Sequence, residues 1–195
     1  ETHVCVPLQG SGTFIVEAGL CTIIPADGKA LILVNGAYGK RMAKILDYAS
    51  RSYLIQETPE DQAPSIDKLD EALAADADIS HVLAVHCETT SGILNPIQEI
   101  ANVVKNRERS LFIDAMSAFG AINLDADHIY FDALVASSNK CLEGVPGVGF
   151  ALIRTAALVS CEKNSHSLSL DLFDQWRTME TNAQWRFTPP THVIA

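Results

Sequence analysis

The stretch 132-DALVASSNKCLEGVPGVGF-150 decides how the rest of the chain is read. The apolar run Ala133 to Ala136 ends in Ser137, Ser138 and Asn139. A lone lysine, Lys140, follows, then a loop with Gly144, Pro146, Gly147 and Gly149, and apolar sequence resumes over 148–153. This pattern predicts a strand, a polar turn carrying Lys140, and a return strand. An ammonium between two buried strands must stay solvated or find a partner. Lysine is usually an exposed turn residue. The sharper reading is a buried amine that attacks a carbonyl.

Outward from this stretch, strand-like and helix-like segments alternate. Residues 14–24 are apolar and long enough for a buried helix, closed by Pro25 and the Asp27-Gly28 turn. Residues 30–35 are a run of aliphatics, as in a strand buried on both faces. Met42, Ile45, Leu46 and Ala49 recur at helical spacing, with Arg41 and the lysines on the other side. A short strand is expected at 52–56, and a helix from Pro64-Ser65 with Ile66, Leu69 and Leu73 on one face. A further buried strand is expected at 81–87. Asn95-Pro96 with Gln98 reads as an N-cap, a first-turn proline and a partial capping box. The helix after it buries Ile97, Ile100, Ala101 and Val104, and the strand 110–113 ends on Asp114. Alternation of this kind predicts an α/β chain: a three-layer α/β/α sandwich with a mainly parallel sheet, forming one domain over residues 1–195.

Composition narrows the function. The chain has 195 residues, is 48% hydrophobic and carries a net charge of −10. The acidic balance argues against nucleic acid and membrane surfaces as partners, and no apolar run is long enough to span a bilayer. The opening residues do not read as a secretion signal. The chain begins on Glu1 rather than methionine, so an excised or processed piece is expected. The five cysteines, Cys5, Cys21, Cys87, Cys141 and Cys161, are scattered without a C-x-x-C pair. That spacing predicts no metal site and no disulfide framework. It points to reduced thiols in a cytoplasmic setting, most of them small core residues.

In parallel sheets, ligands bind beyond the carboxyl ends of the strands. Those ends carry residues 35–38, 88–92, Asp114 and 137–140, with 10-GSGT-13 opening a helix nearby. The glycine–hydroxyl turn suits a phosphate, through free amides and the positive helix end; small polar residues also simply cap helices. Gly144, Gly147 and Gly149 do not lead from a strand into a helix and read as turn glycines. Asp114 is either a turn-capping carboxylate or the partner of a buried cation or protonated ring nitrogen. His86 and Cys87 are strand neighbours pointing to opposite faces, so they form no dyad; His86 is expected as a satisfied core histidine. No G-x-S-x-G elbow occurs, which removes a serine hydrolase. A phosphate cradle, a strand-end carboxylate, a turn lysine and an aromatic at Tyr38 are together what a pyridoxal phosphate enzyme needs.

The chain resembles the fold-type I, class V aminotransferases over its whole length. The segments that carry the resemblance are 9-QGSGT-13, 35-NGAYGKR-41, 86-HCETTSG-92, 114-DAMSAFG-120 and 137-SSNKCLEGVPG-147. Two more, 167-SLSLDLFDQWRTME-180 and 185-WRFTPPTH-192, are similar to members acting on a phosphonate amine. The resemblance implies pyridoxal 5'-phosphate as cofactor. It implies that Lys140 links covalently to the cofactor and then moves protons, and that Asp114 pairs with the pyridine nitrogen. Tyr38 would stack on the ring, and Thr89 would hydrogen-bond the ring hydroxyl. Ser11, Gly12 and Thr13 would cradle the phosphate, with Asn139 helping to orient the cofactor. Thr188 would reach the phosphate from a second subunit, making the active unit a homodimer. Transfer of the amino group of 2-aminoethylphosphonate to pyruvate is implied, with an alanine–glyoxylate or serine–pyruvate type activity as the alternative. The family's chains are longer, so residues 1–195 are expected to be the cofactor-binding large domain. An N-terminal arm and a C-terminal small domain would lie outside it.

Overall fold

A computed structural model describes residues 2–195. A seven-stranded sheet runs in the order β1-β9-β8-β7-β4-β2-β3. Its strands are β1 (His3–Gln9), β2 (Lys29–Val34), β3 (Ser52–Glu57), β4 (Ile79–Val85), β7 (Ser110–Asp114), β8 (Ala133–Ser137) and β9 (Val148–Arg154). Strands β5 (Cys87–Glu88) and β6 (Ile93–Leu94) form a small hairpin beyond β4. The pairs β3–β2, β2–β4, β4–β7 and β7–β8 are parallel. Strand β9 is antiparallel to both β8 and β1, so it alone runs against the rest. The return strand expected after Lys140 is therefore present.

Helices cover both faces. On one side, α1 (Gly12–Ile23), α2 (Ala37–Tyr48) and α6 (Leu172–Asn182) enclose a core that includes Ile15, Leu20, Ile32, Met42, Leu46, Phe112 and Val135. On the other, α3 (Ile66–Ala75) and α4 (Ile97–Asn106) bury Leu69, Leu73, Ile100 and Val104 against Leu31, Val82, Ile113 and Leu134. Two short helices, α5 (Thr155–Val159) and α7 (Thr191–Ile194), complete the chain. The continuous burial of β2, β4 and β8 follows from having helices above and below, which is why these strands read as unbroken aliphatic runs.

Two expectations need correction, and one strand is added to those expected. Residues 3–9 form an edge strand that the sequence reading leaves unassigned; Pro7 interrupts its pattern, and an edge tolerates a residue without an N–H. Asn95 does not cap α4. Its side chain instead pairs with Asn35 and with the Val85 carbonyl, and Gln98 bonds Asn102 rather than closing a capping box. Of the five free cysteines only Cys21 and Cys161 are buried; Cys5 and Cys141 are exposed and Cys87 is half-buried.

Candidate active site

Because β1 runs in the same direction as β8, it delivers residues 10–13 to the sheet end where β2, β4, β7 and β8 also finish. The crevice is built there. The connection leaves β2 toward β3 on one side and returns to β4 on the other, the switch point at which open α/β sheets hold ligands. The Asn35–Asn95 amide pair, 2.8 and 3.2 Å, ties the two strand ends across this point.

Ser11 precedes α1, and its side chain makes no capping hydrogen bond. Gly12 and Thr13 are the first helical residues, whose amides have no intrahelical acceptor, so amides and hydroxyl remain for an anion. A Cβ on Gly12 would sit 3.0 Å from the Met116 sulfur, so the cradle closes tightly on the residues after Asp114. Gly10, at φ +133°, makes the turn and donates to the Gly147 carbonyl at 2.9 Å, which stitches the cradle to the end of the lysine loop.

Asp114 ends β7 and is 2% exposed. The one hydrogen bond to its carboxylate among the described residues is from the Met116 amide, 3.0 Å. Burial pushes its carboxyl up to about 6; the Met116 amide opposes this, the Glu88 carboxylate adds to it, and Arg41 and Lys140 pull it back. A buried carboxyl with unused acceptor capacity fits a cationic N–H.

Tyr38 lies in the first turn of α2, half-buried, with the Arg41 guanidinium 4.5 Å from its ring centre. Arg41 also donates to the Thr13 hydroxyl at 3.2 Å. It is thus folded over the crevice and not out with the lysines, a placement that helical periodicity at i, i+3 allowed but did not reveal. Thr89 is exposed, and its hydroxyl pairs with Ser117 at 2.6 Å. Asn139 accepts from the Ser137 hydroxyl at 2.9 Å.

Lys140 departs from expectation. It is exposed, in a turn closed by the Glu143 amide donating to the Lys140 carbonyl at 2.9 Å. Residues 141–146 are exposed with it. Among the described residues, the burial expected of a nucleophilic amine is not supplied. Thr188 is also exposed and lines a cavity of about 390 Å³ with Gln9, Gly10, Phe14, Trp185 and Phe187. The structure brings Ser11, Gly12, Thr13, Tyr38, Asp114 and the Thr89 loop around one crevice, with Lys140 on its rim.

His86, behind Asp114 on the α3/α4 side, lines a cavity of about 460 Å³ with Ala115, Phe119, Asn123 and Leu134. Its Nδ1 has no partner among the described residues, so it is not the satisfied histidine expected, and burial lowers its pKa. Among the described residues no cluster of His, Cys, Asp and Glu is placed to hold a metal ion, and no helix is long and apolar enough to cross a membrane.

The class of the protein follows. A sequence model of the class V aminotransferases matches residues 31–194, and the chain belongs to that family. It is 56% identical over 195 residues to the 2-aminoethylphosphonate–pyruvate transaminase of Pseudomonas fluorescens (strain Pf0-1), covering 100% of this chain and 53% of that one. The Pseudomonas aeruginosa protein of the same name is 55% identical over 194 residues, again with 100% of this chain covered and 52% of the relative. The chain spans about half the length of the curated relatives it matches. Among solved structures, pyridoxamine–pyruvate aminotransferase from Mesorhizobium loti superposes with a TM-score of 0.89 at 26% identity, over 97% of this chain and 49% of that one. An aspartate aminotransferase from Thermus thermophilus gives 0.88 at 22%, over 97% and 53%, and bears on the fold alone.

Proposed function

We propose that this chain is the cofactor-binding large domain of a pyridoxal phosphate-dependent transaminase. The whole protein would move the amino group of 2-aminoethylphosphonate to pyruvate, giving phosphonoacetaldehyde and L-alanine. The observation that carries the reading is Asp114: a buried strand-end carboxyl with spare acceptor capacity, facing a crevice that has an anion cradle on one side and a lysine on its rim. When bound, the cofactor supplies an electron-withdrawing ring and a reactive carbonyl carbon.

The chain's own residues do the rest. Asp114 would accept from the ring nitrogen and keep a proton there. Tyr38 would lie against the ring, and Thr89 would bond the ring hydroxyl. The amides and hydroxyls of Ser11, Gly12 and Thr13 would hold the phosphate, and Asn139 would help to orient the ring beside the lysine. Lys140 would be the covalent anchor and the base that carries a proton at its Nζ. It must be neutral when it does so. Thr188 reaches the phosphate of a second subunit, so the working unit is a homodimer. A C-terminal small domain, in the half of the relatives' length beyond this chain, covers the Lys140 loop and binds the acceptor carboxylate. The free thiols fit a cytoplasmic enzyme.

The test is a full-length assay with 2-aminoethylphosphonate and pyruvate. Alanine formation is expected. Turnover with only an α-amino acid donor would replace this reading by an alanine–glyoxylate or serine–pyruvate activity.

A further inference from the structure

We infer that Glu88 is a positioning residue that locks Tyr38 and Thr89, two residues proposed to hold the cofactor, into one rigid unit across the switch point of the sheet. The inference deepens the proposed function and rests on it.

Glu88 is fully buried at 0% exposure, yet it has no salt-bridge partner among the described residues. A buried carboxylate left bare is costly, so its acceptors must be met otherwise. Every group hydrogen-bonded to its oxygens donates. The Tyr38 amide lies 3.4 and 3.3 Å from Oε1 and Oε2. The Thr90 hydroxyl donates to Oε1 at 2.8 Å and the Thr90 amide at 3.3 Å. The same hydroxyl accepts from the Ala37 amide at 3.4 Å. The two opening amides of α2 are therefore capped by the turn after β4 and not by a residue of their own segment. The helix dipole favours an anion at that place.

Steric fit makes the same point independently. A Cβ on Gly36 would stand 2.3 Å from the Glu88 Cγ and Cδ and 2.6 Å from the Thr90 hydroxyl. Residue 36 is glycine because the carboxylate occupies the space a side chain would need. The Ser91 and Gly92 amides both return to the Glu88 carbonyl, at 3.3 and 2.7 Å, so the turn that presents Thr89 closes on this residue too. Tyr38 on α2 and Thr89 after β4 thus share one anchor, although 50 positions separate Tyr38 from Glu88. Asp114, Arg41 and Lys140 are the other charged groups facing this floor, and the Glu88 carboxylate adds to the upward shift of Asp114.

The experiment uses the full-length protein, wild type and Glu88→Gln, with pyridoxal phosphate binding measured by titration and backbone amides followed by NMR without cofactor. The substitution removes the charge and turns a donor toward the Tyr38 amide. Expected are a roughly tenfold weaker Kd, an upfield shift of the Tyr38 amide proton, and titration of Asp114 at lower pH than in wild type. If E88Q fails to fold, Thr90→Ala carries the test through loss of one donor, with about threefold weaker binding expected. Unchanged Kd and an unmoved Tyr38 amide overturn the inference. Weaker binding with the Tyr38 amide unmoved overturns it as well, since the loss then arises elsewhere. Wild-type protein that binds no pyridoxal phosphate overturns the functional reading beneath it, which the two variants cannot do.

Discussion

The floor and the rim of the crevice are built on different physical terms. On the floor, Gly36, Glu88 and Asp114 are buried and Tyr38 half-buried, with α1 and α2 packed behind them. Polar groups there meet within the chain: Glu88 to Tyr38 and Thr90, Asn35 to Asn95, Arg41 to Thr13. On the rim, residues 140–146 are all exposed, and Leu142 and Val145 are among the large apolar side chains left in solvent at 45% and 55%. Among the described residues the floor is closed by packing and hydrogen bonds, whereas the loop 140–146 is left exposed. Under the proposed function the buried partner of the ring would stand on the floor and the lysine on the open rim.

The largest expected effect separates the two regions chemically. In the full-length protein, Lys140→Ala should lower transamination by about 10³-fold or more and abolish any borohydride-trapped adduct. Noncovalent uptake of pyridoxal phosphate should persist, because the floor is untouched. A trapped adduct on the variant would remove Lys140 from its role, and loss of all uptake would merge rim and floor into one holding site.

Asp114→Asn tests the floor alone, with cofactor binding expected to weaken about 100-fold through loss of the pairing with the ring nitrogen. The same residue has a pH signature in the unliganded protein. Its folded pKa of about 6 lies above the ordinary 3.8, so between these values the native state holds a proton that the unfolded chain has lost. Stability should therefore be highest below about pH 4 with respect to this group and fall as pH rises through 6. The difference is on the order of 3 kcal/mol, and Asp114→Asn should flatten it. Denaturant midpoints between pH 4 and 7 that run the other way for wild type relative to the variant would contradict the burial argument.

A smaller contrast is steric. Gly36→Ala should destabilise by about 1–3 kcal/mol, as overpacking against Glu88 does in a closed site. Val145→Ala on the rim should change chemical unfolding by no more than about 0.5 kcal/mol in a protein limited to these residues. In the full-length protein a cost well above that for Val145→Ala would show the loop to be covered there, which is what the proposed C-terminal domain requires.

Much of the fold was legible because burial on both faces leaves a plain mark: 30–35, 81–87 and 133–137 are aliphatic runs, and each is a parallel strand within a residue or two. Strand β1 was not, since Pro7 and edge exposure break its pattern. Asn95 was misread for a related reason. Asn before Pro is a good local cap, but a partner 60 positions away offered its amide a better set of bonds. Among the site residues, Asp114 and the Ser11–Thr13 turn were marked by their places at a strand end and a helix start. Glu88 stood in a segment noted for its place at a strand end and went without a role, because its significance lies in what it touches on α2. Arg41 lies off the buried face of its helix as expected, yet its guanidinium reaches Tyr38 and Thr13, since periodicity reports where a side chain begins and not where a long one ends.

By itself the sequence determined the layered α/β architecture, the end of the sheet that holds the crevice, and the family, because aliphatic period, turn glycines and short local segments are properties of neighbouring residues. Only the tertiary structure decided which polar groups are satisfied: that Glu88 caps a helix across the switch point, that Asp114 keeps a free acceptor under burial, and that Lys140 stands in solvent. Hydrogen bonding and desolvation depend on groups brought together from distant positions, and those distances do not exist until the sheet has formed.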